Sequence, residues 1–125
     1  MTDAGGRKRV TVEMLDDFGV AWDRHDVDRI MSFFAEDCTF VTGWGAVFRG
    51  RDQVREGVRQ FFERFPDGHF SDAKHFVAGD RGLSEWRFTA TGPDGGTLDM
   101  VGCDVFTFDG DKIAVKDAFR KDRLR

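Results

Sequence analysis

The spacing of apolar residues changes part-way along this chain, and that change limits the fold more than any other feature. Val10, Met14, Phe18 and Trp22 recur at four-residue steps, with Leu15 and Ala21 beside them, which is the spacing of one helical face. Val27, Ile30, Met31 and Phe34 share the face of a second, short helix that Asp26 is placed to cap. Residues 38–42 read as a strand and residues 43–50 as a loop. A third helix begins near Asp52, striped by Val54, Val58, Phe61, Phe62 and Phe65, and Pro66-Asp67-Gly68 ends it. Beyond it the period falls to two. Residues 69–78, 83–91, 97–108 and 113–120 read as long strands, separated by turn signals at Gly79-Asp80, at residues 92–96 and at Asp109-Gly110-Asp111. Helices followed by a meander of strands make an α+β pattern, not an alternating βαβ one.

A chain of 125 residues fits one domain. We expect residues 1–9 to be a flexible N-terminus and residues 10–125 a single domain. The aromatic residues are 14 Phe and 3 Trp with no Tyr, which supplies rings for a core or pocket and removes one common proton donor. The net charge is −4, and the basic residues are dispersed except at Arg7 to Arg9 and Arg120 to Arg125, so no clustered nucleic-acid face is expected. No apolar run approaches the ~20 residues that cross a bilayer, and Met1 to Arg9 lacks a signal-peptide core, so a cytoplasmic protein without membrane partners is expected. Cys38 and Cys103 have neither CxxC spacing nor nearby His, so neither a metal site nor a disulfide is expected. The glycines form no phosphate-binding loop, so no cofactor is expected either.

Two carboxylates stand out when the late strands are divided by parity. On the last strand Ile113, Val115, Asp117 and Phe119 share one face, and Lys112, Ala114, Lys116, Ala118 and Arg120 read as the solvent face. On the strand before it, Leu98, Met100, Gly102, Asp104, Phe106 and Phe108 share a face. A carboxylate on an apolar stripe is costly unless it is paired, protonated or lining a wet cavity. Asp104 and Asp117 are therefore expected to line one cavity as its acid–base groups. The competing reading is a buried Asp satisfied by backbone amides or by Arg87. Ser84, Trp86, Phe88 and Ala90 form the more apolar face of residues 83–91, leaving Glu85 and Arg87 outside unless a bulge reverses them. His69 and His75 share a parity and read as edge residues, His75 being the better placed to meet a substrate.

The segments Ala21-Trp22-Asp23-Arg24-His25-Asp26-Val27-Asp28 and Phe33-Phe34-Ala35-Glu36-Asp37-Cys38-Thr39-Phe40 are similar to the opening of SnoaL-like proteins. Phe48-Arg49-Gly50-Arg51-Asp52-Gln53-Val54 resembles the entry to their third helix, and residues 102–113 resemble their last hairpin. The likeness spans about residues 10 to 122. It places the chain in the nuclear transport factor two-like superfamily, which includes ketosteroid isomerases, polyketide cyclases, limonene-epoxide hydrolases and scytalone dehydratases.

The resemblance implies three N-terminal helices packed on a curved, mostly antiparallel sheet that forms a cone-shaped pocket. Of the ketosteroid isomerase pattern, the tyrosine position falls on Phe18, the general-base position on Thr42, and only the oxyanion-hole aspartate finds a match, at Asp104. The acidic residue of the final strand in cyclases and epoxide hydrolases matches Asp117. The Arg–Asp partners of the epoxide hydrolases fall near Glu85 and Arg87 with the charges reversed. The expected function is cofactor-free acid–base catalysis on a small apolar, polyketide-like molecule, with Asp117 and Asp104 catalytic. Phe18, Trp22, Phe40, Trp44, Trp86, Phe106, Phe119, His75 and Arg87 are expected to contact the substrate. The alternatives are a ligand-binding module or an interaction domain, and face-to-face pairing of sheets in the family implies a homodimer.

Overall fold

In the computed structural model, which describes residues 8–123, three helices and six strands follow one another. Helices α1 (Val12–Asp23) and α2 (Val27–Ser32) come first. Thr11 starts α1 by accepting a hydrogen bond from the Met14 amide at 3.2 Å, and Asp26 caps α2 by accepting one from the Arg29 amide at 3.1 Å. Strands β1 (Phe34–Val41) and β2 (Val47–Arg49) precede α3 (Arg51–Arg64). The remaining strands are β3 (His69–Ala78), β4 (Arg81–Thr91), β5 (Thr97–Asp109) and β6 (Lys112–Asp122).

The strands form one six-stranded sheet in the order β2-β1-β6-β5-β4-β3. Every pairing is antiparallel except that of β1 with β6, which is parallel. The class is α+β with a mixed sheet, but the expected cone is not there. β2 and β3 remain as free edges, and the sheet is neither strongly curled nor closed. The ligand space therefore lies between α1 and an open sheet. The sequence reading treated residues 43–50 as loop, and β2 within it is a three-residue edge strand too short to show a period.

Two bulges decide which side chains face the helices. β5 and β6 pair Thr107 with Val115 but Phe108 with Ile113, so Ala114 is an extra residue on β6. Ile113 stays buried, and beyond the bulge Lys116 pairs with the core residue Phe106. The inner face of β6 is thus Lys116, Ala118 and Arg120, and Val115, Asp117 and Phe119 turn outward. A second irregularity on β3 lies between Ser71 and Lys74, where Asp72 adopts a positive φ of 57°. It brings His75, which pairs with Ser84, onto the same face as Phe70.

The main core joins α1, α2 and α3 to the inner face of β1, β5 and β6 through Phe18, Trp22, Ile30, Phe40, Val58 and Phe106. Rings meet mostly edge to face. Trp22 lies 5.7 Å from Phe40 and 5.5 Å from Phe61, and Phe18 lies 6.0 Å from Phe106. A second cluster of Phe65, Phe88, Ala90 and Met100 fills the space beneath the end of α3.

Candidate functional site

A cavity of about 300 Å³ opens between α1 and the inner face of β3 to β6. Its size is at the lower end for small-molecule sites. Phe18, Trp22, Phe70 and Trp86 supply apolar walls, and His75, Ser84, Asp104 and Lys116 supply polar groups. Asp16, Asp23 and Glu85 add carboxylates to the lining, with Arg24 beside them.

The deepest polar feature is an ion pair. Lys116 Nζ donates to Asp104 Oδ1 at 3.1 Å, and the two residues are only 6% and 7% exposed. The ammonium also lies 4.5 Å from the centre of the Trp22 ring and 4.8 Å from that of Phe40, within cation–π range of both. The carboxylate that parity placed on an apolar face is thus paired, as burial requires. Its partner is a lysine that the same parity rule assigned to solvent.

The second feature connects three elements. Ser84 Oγ and His75 Nδ1 are 2.7 Å apart, and Asp16 Oδ1 on α1 lies 3.5 Å from His75 Nε2. The His75 side chain is 8% exposed and Ser84 is buried. Trp22 Nε1, Trp86 Nε1 and His75 Nε2 are buried without hydrogen-bond partners, so the approach of Asp16 to His75 is an ion-pair contact and not a hydrogen bond.

The structure corrects several sequence expectations. Asp117 is not beside Asp104 in the cavity; it pairs in register with Val105 on the outer face, because the Ala114 bulge inverts the parity of β6. The same inversion turns Phe119 outward, where it is 53% exposed. Arg87 is also on the outer face, where its Nε and Nη2 donate to Asp99 at 3.0 and 2.9 Å. Phe40 and Trp44 line a separate space of about 30 Å³ that also touches Trp22, Trp86 and Lys116. Trp44 stacks there on Phe65 beneath the Arg120 guanidinium, 4.7 Å from its ring. Phe106 is fully buried in the core behind Phe18. Of the expected residues, Asp104, His75, Phe18, Trp22 and Trp86 come together at the cavity.

Sequence reasoning missed Lys116, Ser84 and Asp16. Ser84 reads from parity as inward but without a role, and the Asp72 bulge conceals that His75, expected at the substrate, shares a face with Phe70 and pairs with Ser84. Cys103 faces outward, and burial first, then the charges of Asp104, Glu85 and Asp117, pushes its thiol above the usual range. Burial likewise raises the Cys38 thiol. Among the described residues, no cluster of His, Cys, Asp and Glu is arranged to hold a metal ion. No helix among them is long and apolar enough to cross a membrane.

The model of the SnoaL-like domain family matches residues 15–116, which spans both the cavity and the core around it. The chain belongs to the SnoaL-like family. Its fold is shared with a candidate polyketide cyclase from Xanthomonas campestris pv. campestris, at 18% identity and a TM-score of 0.76, over 84% of this chain and 85% of that one. A protein of ketosteroid isomerase-like fold from Catenulispora acidiphila, solved in complex with trimethylamine, is 21% identical with a TM-score of 0.73, covering 88% and 86%. A cystatin-fold protein from Novosphingobium aromaticivorans is 26% identical with a TM-score of 0.69, covering 89% and 98%. Comparison with curated protein sequences gives no match. This SnoaL-like chain thus shares a fold that includes candidate cyclases, while its own chemistry has to be read from the cavity.

Proposed function

We propose that this SnoaL-like protein performs cofactor-free proton transfer on a small, apolar, oxygenated molecule held between α1 and the sheet. The observation that carries the reading is the buried Asp104–Lys116 pair in the wall of an aromatic cavity. A carboxylate in such a wall can take a proton from carbon beside a carbonyl. The neighbouring ammonium, with N–H groups beyond the one given to Asp104, can hold the oxygen on which charge develops. Asp104 is the proton acceptor in this scheme, Lys116 the oxyanion partner, and Phe18, Trp22, Phe70 and Trp86 the walls. Asp117 has no part in it, and Asp117→Asn leaves turnover intact.

The test is hydrogen–deuterium exchange at the activated carbon of 2-tetralone in D₂O, followed by NMR. We expect exchange faster than in buffer, falling by about 10²- to 10⁴-fold in Asp104→Asn, the usual range for a positioned acid–base group. Exchange at the buffer rate with wild-type protein would sink the reading. Binding without turnover is the competing reading, favoured by the engagement of the Asp104 carboxylate by Lys116. It requires saturable quenching of tryptophan emission by 2-tetralone with no exchange.

We also propose a homodimer formed through the outer face of the sheet. Phe119 stands exposed there, and Leu83, Val101 and Val105 are half-buried beside it. Sedimentation at micromolar concentration is expected to give twice the chain mass, and Phe119→Asp to give the monomer. A monomeric wild-type protein would exclude this arrangement.

A further inference from the structure

We propose that Ser84 is a nucleophile, and that the cavity also accepts small neutral esters and cleaves them through an acyl-serine. This goes beyond the proton-transfer reading, because its nucleophile and base, Ser84 and His75, have no part in that scheme, although both schemes share the Lys116 charge and the cavity. Ser84 Oγ is 2.7 Å from His75 Nδ1, and Asp16 Oδ1 is 3.5 Å from His75 Nε2. A nucleophile within hydrogen-bond reach of a base is the core of the arrangement that activates serine on many unrelated folds. Asp16 stands on the side of the ring where a third, orienting group would act. The reaction uses the tautomer with its proton on Nε2, the buried nitrogen that faces Asp16 at ion-pair distance without a hydrogen bond to it. Nδ1 is then a lone pair facing the Ser84 hydroxyl.

The surroundings fit the chemistry. Ser84 is buried and lines the cavity, and its cross-strand partner is Asp104, so its oxygen sits beside the ligand space rather than in the packed core. Lys116 supplies a positive charge in the same cavity for a tetrahedral oxyanion, and the indole N–H groups of Trp22 and Trp86 are unclaimed donors. The lining charge selects the substrate. Asp16, Asp23, Glu85 and Asp104 outnumber Arg24 and Lys116, so a neutral ester is admitted and the carboxylate product is repelled.

The steps balance with water as the co-reactant. Ser84 Oγ bonds the carbonyl carbon while its proton passes to His75 Nδ1. The bond from that carbon to the leaving alcohol breaks, and the alcohol takes the proton from Nδ1, leaving acyl-Ser84. Water then attacks the acyl carbon and gives its proton to Nδ1. Ser84 Oγ departs, recovers that proton, and the acid is released.

The experiment mixes the full chain with 4-nitrophenyl butyrate and follows nitrophenolate release, with peptide mapping of the quenched protein. The expected result is a burst matching the protein concentration and a butyryl group on Ser84. Ser84→Ala should abolish both, Ser84→Cys should retain acylation, and His75→Gln should slow the burst by about 10²- to 10⁴-fold. Diisopropyl fluorophosphate should label Ser84 of the wild-type chain, which decides the question even if Ser84→Ala does not fold. A wild-type chain labelled nowhere, or only on lysines or Cys103, would overturn the proposal and leave Ser84 as the residue that fixes the His75 ring. Ester acylation and ketone exchange are read on separate probes, so either reading can fail while the other holds.

Discussion

Asp104→Ala will lower the stability of this chain by about 3–5 kcal/mol, whereas Asp104→Leu combined with Lys116→Met will cost no more than about 1 kcal/mol. The asymmetry follows from what each change leaves behind. In the single variant the Lys116 ammonium keeps its buried position and loses its carboxylate. The Trp22 and Phe40 rings, 4.5 and 4.8 Å from Nζ, offset only part of the lost interaction. In the double variant no charge remains, and two apolar chains of similar volume lie against rings already present. Urea denaturation of the three proteins measures the difference, provided the slope of the transition is unchanged. A single variant that loses less than about 1 kcal/mol would mean that water reaches the pair, and that the site is not the low-dielectric pocket its burial indicates.

The contrast also bears on why the pair is there. If the double variant is as stable as wild type, stability does not explain a buried ion pair. A role in the cavity's chemistry then becomes the more economical account, and loss of ketone exchange in that same folded protein would connect the two.

Much of the fold was legible because it rests on local periodicity. The helical recurrence of Met14, Phe18 and Trp22, the Asp26 cap and the apolar face of β5 all follow from local spacing, and the structure has each of them. Val10 of the same recurrence, by contrast, precedes the Thr11 cap and lies outside α1. What escaped was non-local or aperiodic. The parallel pairing of β1 with β6 joins distant segments and leaves no mark in either. An open sheet and a curled one are written in the same alternating strands. One bulged residue inverts every later assignment on its strand. Ala114 therefore exchanged Lys116 for Asp117 at the cavity, and the irregularity at Asp72 brought in His75. Neither is a glycine, so neither position carried the usual signal of a break.

The alternation Lys112, Ala114, Lys116, Ala118, Arg120 looked like a solvent face because charge on one parity normally marks water. Two of these cations are instead turned inward. Lys116 reaches Asp104, and Arg120 Nε donates to the Gly43 carbonyl at 3.1 Å while its guanidinium covers Trp44. The sequence held a hint of this. An inward Asp104 needed a cation, and Arg87, the one considered, was already assigned to the outer face with Glu85.

Gly102→Ala is expected to cost about 3 kcal/mol, the upper part of the range for overpacking a filled site. A Cβ at this position would fall onto the carbonyl oxygen of Phe119 on β6, and would also lie 2.6 and 2.9 Å from carbons of the Trp86 ring. The ring can shift, but the carbonyl belongs to the backbone of a paired strand and moves only if β6 moves with it. Gly102 stands in register between Trp86 and Arg120, so its missing side chain lets the indole cross β5 closely while forming the cavity wall. The methyl group would push Trp86 into the ligand space. Affinity for 2-tetralone should then fall about tenfold, equivalent to ~1.4 kcal/mol, in whatever fraction still folds. Gly45→Ala provides the contrast. Gly45 has φ of 91° with nothing within 4 Å of the added carbon, so its cost is conformational, about 1 kcal/mol, and ligand affinity is unaffected. Thermal denaturation and tetralone titration of the two variants separate the effects. Equal losses of stability with equal affinities would show that the wall does not depend on the close crossing of Trp86 over Gly102.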